Sequence, residues 1–115
     1  MASTGKSARQ KGHSYELAVA KEHTALGFVD VFSSRSESKR MDDKGVDLVN
    51  LPYYIQCKAV ERMTQSYHDI LSSMPDDRLR AVFHKRNRKG TIVVIQKEDW
   101  YNILEFLAKK NYFKK

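Results

Sequence analysis

The pattern of apolar and polar positions predicts a mixed chain of helices and strands. Apolar side chains recur at helical spacing from Tyr15 to Leu26, with Ser14 as the cap and Gly27 as the stop. Period-two alternation predicts a strand over 28–32. Further strands are predicted over 46–49, 53–60, 80–84 and 91–95, and helices over 64–73 and 98–109. The order α-β-β-β-α-β-β-α predicts an α/β (α+β) domain in which helices pack on a five-stranded mixed sheet.

Three polar segments separate or precede these elements. Residues 1–11 are small, polar and basic, which predicts a flexible arm before a single domain over 12–115. Residues 33–45 are highly charged and predict a loop or mobile flap. Residues 85–90 predict a basic hairpin tip, because four cations lie within five positions there.

Composition and charge narrow the class of protein. The 115 residues are 41% hydrophobic and 30% charged, which is typical of one globular domain. Twenty-one Lys and Arg against 14 Asp and Glu give a net charge of +7, which favours a polyanionic partner, either nucleic acid or a membrane surface. No apolar run approaches the ~20 residues of a membrane span, and the first residues lack the apolar core of a signal peptide. We therefore expect a soluble, intracellular, cytoplasmic protein.

Cysteine and histidine usage argues against two kinds of site. Cys57 is the single cysteine of the sequence, so the chain has no internal disulfide framework and no CxxC zinc motif. We expect Cys57 to be a small buried apolar residue. The four histidines lack the spacing of metal ligands, which argues against a zinc site. They are His13, His23, His68 and His84.

Four polar side chains are candidates for one site. Asp47 lies in one predicted strand, and Gln56 and Lys58 lie two apart on the next, so they share a face. A hairpin turning at Leu51-Pro52 brings Asp47 close to Gln56, and Glu16 reaches the same corner if the first helix covers the sheet. Carboxylate and amide oxygens suit a hard cation such as Mg²⁺, with Mn²⁺ as a substitute. Such a cation polarises a scissile phosphate, and Lys58 is placed to stabilise the growing charge.

At these residues the chain resembles the PD-(D/E)XK nuclease superfamily, and within it the archaeal and phage Holliday-junction resolvases. The resemblance covers about residues 12–107 and rests on GHSYELAVAKEHTALGF, GVDLV and IQCK, then AVFHKRNRKG, VVI and EDW. It implies a restriction-endonuclease-like core and a homodimer with two active sites. It also implies that Glu16 and Asp47 are the acidic site residues, that position 56 and the Cys57 carbonyl are metal ligands, and that Lys58 is the catalytic lysine.

The chain departs from the family pattern at two positions. Val46 replaces the usual proline, whose role is conformational. Gln56 replaces the usual acid, and its amide oxygen can bind a cation without adding negative charge. The site of this chain should therefore bind metal more weakly than a site with an acid at that position. Gln56 is compatible with an active natural variant of the motif, and equally with an inactivating glutamate-to-glutamine change.

The expected partner is branched DNA. The hypothesis is a Mg²⁺-dependent endonuclease that resolves four-way junctions in recombination by paired nicks, in the host cytoplasm if the chain is phage-encoded. The alternatives are another structure-specific or nicking nuclease of the same fold, or a catalytically silent DNA-binding module. The candidate DNA contacts are cations of the two charged segments: Arg35, Lys39, Arg40, Lys85, Arg86, Arg88 and Lys89.

Overall fold

The computed structural model describes residues 4–113, with side chains from residue 8 onward. Its elements alternate between helix and strand along most of the chain. In order they are α1 (Thr4–Ala25), β1 (Phe32–Ser33), α2 (Ser34–Glu37), α3 (Lys39–Asp43), β2 (Leu48–Val49), β3 (Tyr54–Lys58), α4 (Tyr67–Ser73), β4 (Arg80–Arg86), β5 (Gly90–Ile95) and α5 (Lys97–Lys109). The predicted order of the longer elements is confirmed, with α2 and α3 added between the first two strands.

The strands form two sheets. β1 and β2 pair antiparallel, and β3, β4 and β5 form a second sheet with β4 in the centre. β4 runs parallel to β3, with Gln56 opposite Val82, and antiparallel to β5. The predicted single five-stranded sheet is therefore not formed as such among the described residues. The mixed α/β character of the domain is confirmed.

The gap between the sheets has a local cause. β1 and β2 are two residues each, and Pro52 follows closely after β2 without an N–H to donate. One backbone hydrogen bond still joins the two sheets, from the Asp47 N–H to the Ile55 carbonyl at 2.8 Å. Asp47 is thus fixed beside β3, although the predicted hairpin ladder is missing.

Helices cover both faces of the β3–β5 sheet. On one face Tyr15, Val19 and Ala20 of α1 pack in a buried cluster that includes Ile55 and Cys57. On the other face the α4 residues, Ile70 and Leu71, pack with Val46, Tyr54 and Val82. Because successive strand residues point to opposite faces, β3 supplies apolar side chains to both clusters. Removing these side chains from water is the main stabilising contribution to the fold.

Three predicted segments differ from the structure. The strand predicted over 28–32 is present only at Phe32, where β1 begins, because Asp30 with φ +56° leaves the extended conformation. The first helix begins at Thr4 and not at Ser14, so the part of the expected arm that the structure describes is helical; residues 1–3 lie outside it. Residues 33–45 hold two short helices in place of a flap. Ser33 caps α2 by accepting from the Arg35 N–H, and Ser38 caps α3 by accepting from the Met41 N–H. The sequence pattern did not predict either helix, because both are short and begin at serine residues, which also favour loops.

Candidate active site

Asp47 occupies the junction between the two sheets. Its Oδ2 accepts a 2.7 Å hydrogen bond from the Cys57 N–H, and its own carbonyl accepts from the Ser34 N–H at 2.8 Å. Burial raises the pKa of Asp47 from 3.8 to about 7; the Cys57 N–H opposes this, the Glu16 carboxylate adds to it, and the Lys58 and Arg35 cations oppose it. The carboxyl is therefore rigidly held in a place that disfavours its negative charge.

Glu16 is the second acid of the site and is 2% exposed on α1. Its Oε1 accepts from the Ser33 hydroxyl at 3.2 Å, and its Oε2 accepts from the Arg35 guanidinium at 3.0 Å. His13 Nδ1 lies 3.7 Å from Oε1. A buried carboxylate needs such partners, because an unpaired one would be costly. The structure therefore shows Glu16 buried and held by Ser33 and Arg35, and its role as a site acid stays a prediction.

Gln56 and Lys58 are half-buried on one face of β3, as their spacing predicts. The Oε1 atom of Gln56 is buried and has no hydrogen-bond partner among the described residues. Its Nε2 would lie 3.5 Å from a Cβ at position 45, where Gly45 has φ +79°. Glycine suits this position because of the left-handed conformation, whereas the Gln56 amide would lie at ordinary van der Waals distance from a Cβ.

Cys57 is buried between these two residues, as expected. Burial raises the pKa of its thiol far above its ordinary value, with the Asp47 and Glu16 carboxylates adding to the effect. The thiol is thus neutral and unreactive at physiological pH. Its backbone N–H contributes to the site by donating to Asp47, and the expected role of its carbonyl as a metal ligand stays a prediction.

The donor atoms fit a hard, partly hydrated cation only in part. Among residues 8–113, no three His, Cys, Asp or Glu side chains converge as a metal-binding group. Asp47 and the unpartnered oxygen of Gln56 are suitable oxygen donors. Burial destabilises the negative charge of Asp47, so a nearby cation would stabilise the ionised carboxylate. Mg²⁺ commonly uses one or two carboxylates and retains waters, so this donor set is compatible with it.

The cations proposed to bind DNA have different environments. Arg35 is engaged by Glu16, Lys39 pairs with Asp43 at 3.3 Å, and Arg86 lies 4.0 Å from Glu61. Within the part of the chain that the structure describes, no ion pair involves Arg40, Arg88 or Lys89, which are exposed. The tip of the β4–β5 hairpin is therefore the most available cationic surface of the predicted set.

Sequence reasoning missed two features of the site. One is Ser33, which caps α2 and also donates to Glu16. The other is a small cleft of about 150 Å³ lined by Lys11, Tyr15 and Lys85. The Lys85 ammonium lies 6.0 Å from the centre of the Tyr15 ring. The four-residue spacing of Lys11 and Tyr15 indicates a shared helix face, but only if the helix is known to extend that far.

Comparisons of the chain with protein-family models, with curated proteins and with solved structures gave no match. Among the described residues, no helix is both long and apolar enough to cross a lipid bilayer.

Proposed function

We propose that the chain is a Mg²⁺-dependent endonuclease with a restriction-endonuclease-like core that cuts branched DNA, resolving four-way junctions by paired nicks. The observation that carries the proposal is the hydrogen bond from the Cys57 N–H to the partly buried Asp47 carboxylate, within the electrostatic reach of Glu16 and Lys58. Acids whose pKa is shifted by burial beside a lysine are typical of catalytic sites. The resemblance of the same residues to a junction-resolvase pattern supports the same conclusion.

Each residue has a role that follows from its contacts. Asp47 and Gln56 would hold the cation, which when bound polarises a phosphate and acidifies a water. The Cys57 N–H fixes the direction of the Asp47 carboxylate. Arg35 and Ser33 fix the Glu16 carboxylate through hydrogen bonds to its two oxygens. Lys58 would stabilise the negative charge that grows on the phosphoryl oxygens.

The basic surface supports a DNA backbone as the partner. Lys11 and Lys85 line a small cleft with Tyr15, and the exposed Arg88 and Lys89 follow Lys85 in the same hairpin. Cations along such a path bind phosphates without reading the sequence. Recognition of a branch by shape, and not by sequence, is consistent with this arrangement. Two nicks in opposed strands would need two such sites, which a homodimer would supply.

A second function, DNA binding without cleavage, is favoured by one specific feature. Gln56 brings no charge where an acid is usual, and both oxygens of Glu16 are already engaged by protein groups. A site with a single available carboxylate binds metal weakly. On this reading the fold would serve as a branch-binding module.

A cleavage assay distinguishes the two functions. A labelled four-way junction and a linear duplex of the same sequence are incubated with the protein across a wide Mg²⁺ range. The endonuclease proposal expects Mg²⁺-dependent nicks near the branch, lost in Asp47→Asn and kept in the exposed control Asp76→Asn. Binding of the junction with no nicks at any Mg²⁺ or Mn²⁺ concentration would favour the binding module. If the protein neither binds nor cuts the junction, both proposed functions are contradicted.

A further inference from the structure

A small cleft lies at the end of β3, where the chain leaves the sheet towards α4. Its volume is about 90 Å³, well below the roughly 300–1,000 Å³ of a site for a drug-sized ligand. Its lining is partly polar and partly apolar: Lys58, Arg62, Thr64 and Gln65, with Val60, Met63 and Ile70. The size of the cleft suits a single small polar group.

The charge of this cleft is positive. Neither Asp nor Glu lines it, and within the part of the chain that the structure describes no ion pair involves Lys58 or Arg62. Asp47 is within electrostatic reach of Lys58 without forming an ion pair with it. Thr64 and Gln65 add a hydroxyl and an amide that can donate hydrogen bonds. Two cations and two neutral donors around one small space are the groups that bind an oxyanion.

The segment that follows β3 is held in place without a ligand. The Val60 carbonyl accepts a 2.7 Å hydrogen bond from Nε2 of His84, which is buried on β4. Because a carbonyl can only accept, Nδ1 of the same ring is left to accept from the Tyr67 hydroxyl, at 2.7 Å. The Glu61 carboxylate accepts from the Asn87 N–H at 2.7 Å. Both residues before the arginine of the cleft are thus fixed, which lowers the entropic cost of binding.

We propose that this cleft binds a terminal phosphate group, either inorganic phosphate or the phosphate monoester at the end of a DNA strand. A monoester carries a charge of about −1.5 to −2 at pH 7, which matches the two cations. An internal DNA phosphate carries a single charge and two bulky substituents, so it matches the charge and the volume less well. Arg62 binds the oxygens through its planar set of donors, and Thr64 donates a further hydrogen bond.

The cleft includes Lys58, which links it to cleavage. A nick leaves a terminal phosphate on one of the two new strand ends, and the cleft would retain that end. This link rests on the proposed endonuclease function, whereas binding of a terminal phosphate does not. The tests below therefore measure binding without Mg²⁺, so that no strand is cut.

The first test is calorimetric titration with inorganic phosphate at constant ionic strength. We expect saturable binding of one phosphate per chain. Arg62→Gln should abolish it, and Thr64→Val should weaken it severalfold because the hydroxyl donor is lost. The matched control is Arg88→Gln, which removes the same charge from the hairpin tip and should leave phosphate binding unchanged. Arg62, Thr64 and Arg88 are exposed, and far-UV circular dichroism reports whether each variant keeps its fold.

The second test compares DNA ends. Unlabelled single strands of one sequence, with a phosphate at the 5′ end, at the 3′ end or at neither, compete with a labelled strand. We expect one phosphorylated strand to bind about fivefold to tenfold more tightly than the strand without a terminal phosphate, because its end adds charge-assisted hydrogen bonds. Arg62→Gln should bring this ratio close to one. Arg88→Gln should weaken the binding of all three strands alike and leave the ratio unchanged.

The outcomes separate the sources of the phosphate and the two proposals. Phosphate binding that depends on Arg62, without a preference among the strands, supports the cleft as a site for free phosphate. A preference for one strand end that depends on Arg62 supports it as a site for a DNA end. Neither result, or the same results in Arg62→Gln as in the wild type, would overturn the proposal. Nicking without terminal-phosphate binding would leave the endonuclease standing alone, and terminal-phosphate binding without nicking would leave the cleft standing alone.

Discussion

Replacing Asp47 by asparagine should stabilise the fold increasingly as the pH rises. Burial raises the pKa of Asp47 from 3.8 to about 7, so the folded state holds the proton more tightly than the unfolded chain. Unfolding therefore releases a proton between about pH 4 and pH 7, and the free energy of unfolding falls over that window. Asparagine is neutral throughout and keeps an oxygen that can accept from the Cys57 N–H. The free energy of unfolding of the Asp47→Asn variant should therefore not fall between pH 4 and pH 7.

The size of the effect follows from the pKa difference. Each unit corresponds to about 1.4 kcal/mol, so the upper bound above pH 7 is about 4 kcal/mol. Local relaxation and water penetration reduce such penalties. We expect a measured gain of roughly 1–2 kcal/mol at pH 8 and close to zero at pH 4. This is a large fraction of the stability of a typical domain.

Urea denaturation followed by circular dichroism measures the difference. Wild type and Asp47→Asn are compared at one protein concentration, from pH 5 to pH 8, with a chelator present to keep cations from the carboxylate. Asp76→Asn is the matched control, because Asp76 is exposed, and its effect should not change with pH. A gain of the same size at every pH, or a loss of stability at pH 8, would refute the assignment of a raised pKa to Asp47.

Three further predictions concern catalysis and DNA binding. Lys58→Ala should abolish junction cleavage while the mobility shift of the junction persists, with the exposed Lys21→Ala as control; equal loss of both would place Lys58 in the DNA-contact surface. Gln56→Glu should lower the Mg²⁺ concentration for half-maximal cleavage, and an unchanged titration would show that the side chain is not a ligand. Neutralising Arg88 and Lys89 should weaken binding to every DNA sequence alike and reduce the salt slope by about one unit per lost contact; a sequence-selective effect would contradict backbone binding.

The sequence by itself determined the features that depend on local periodicity. The β4–β5 hairpin and its basic tip follow from two apolar runs separated by a charged turn, and α5 follows from a clear i, i+3, i+4 stripe. The shared face of Gln56 and Lys58 follows from the two-residue repeat of a strand. These features were predictable because the responsible interactions act between near neighbours in the chain.

The tertiary structure alone decided how the site is held together. The contact of Arg35 with Glu16 joins residues 19 positions apart, and Ser33, which caps α2, donates to the same carboxylate. The Cys57 N–H donates to the Asp47 side chain across two strands that belong to different sheets. The raised pKa of Asp47 depends on burial, which is a property of packing and not of spacing. Non-local contacts and desolvation leave no periodic pattern in the sequence, so only the tertiary structure reveals them.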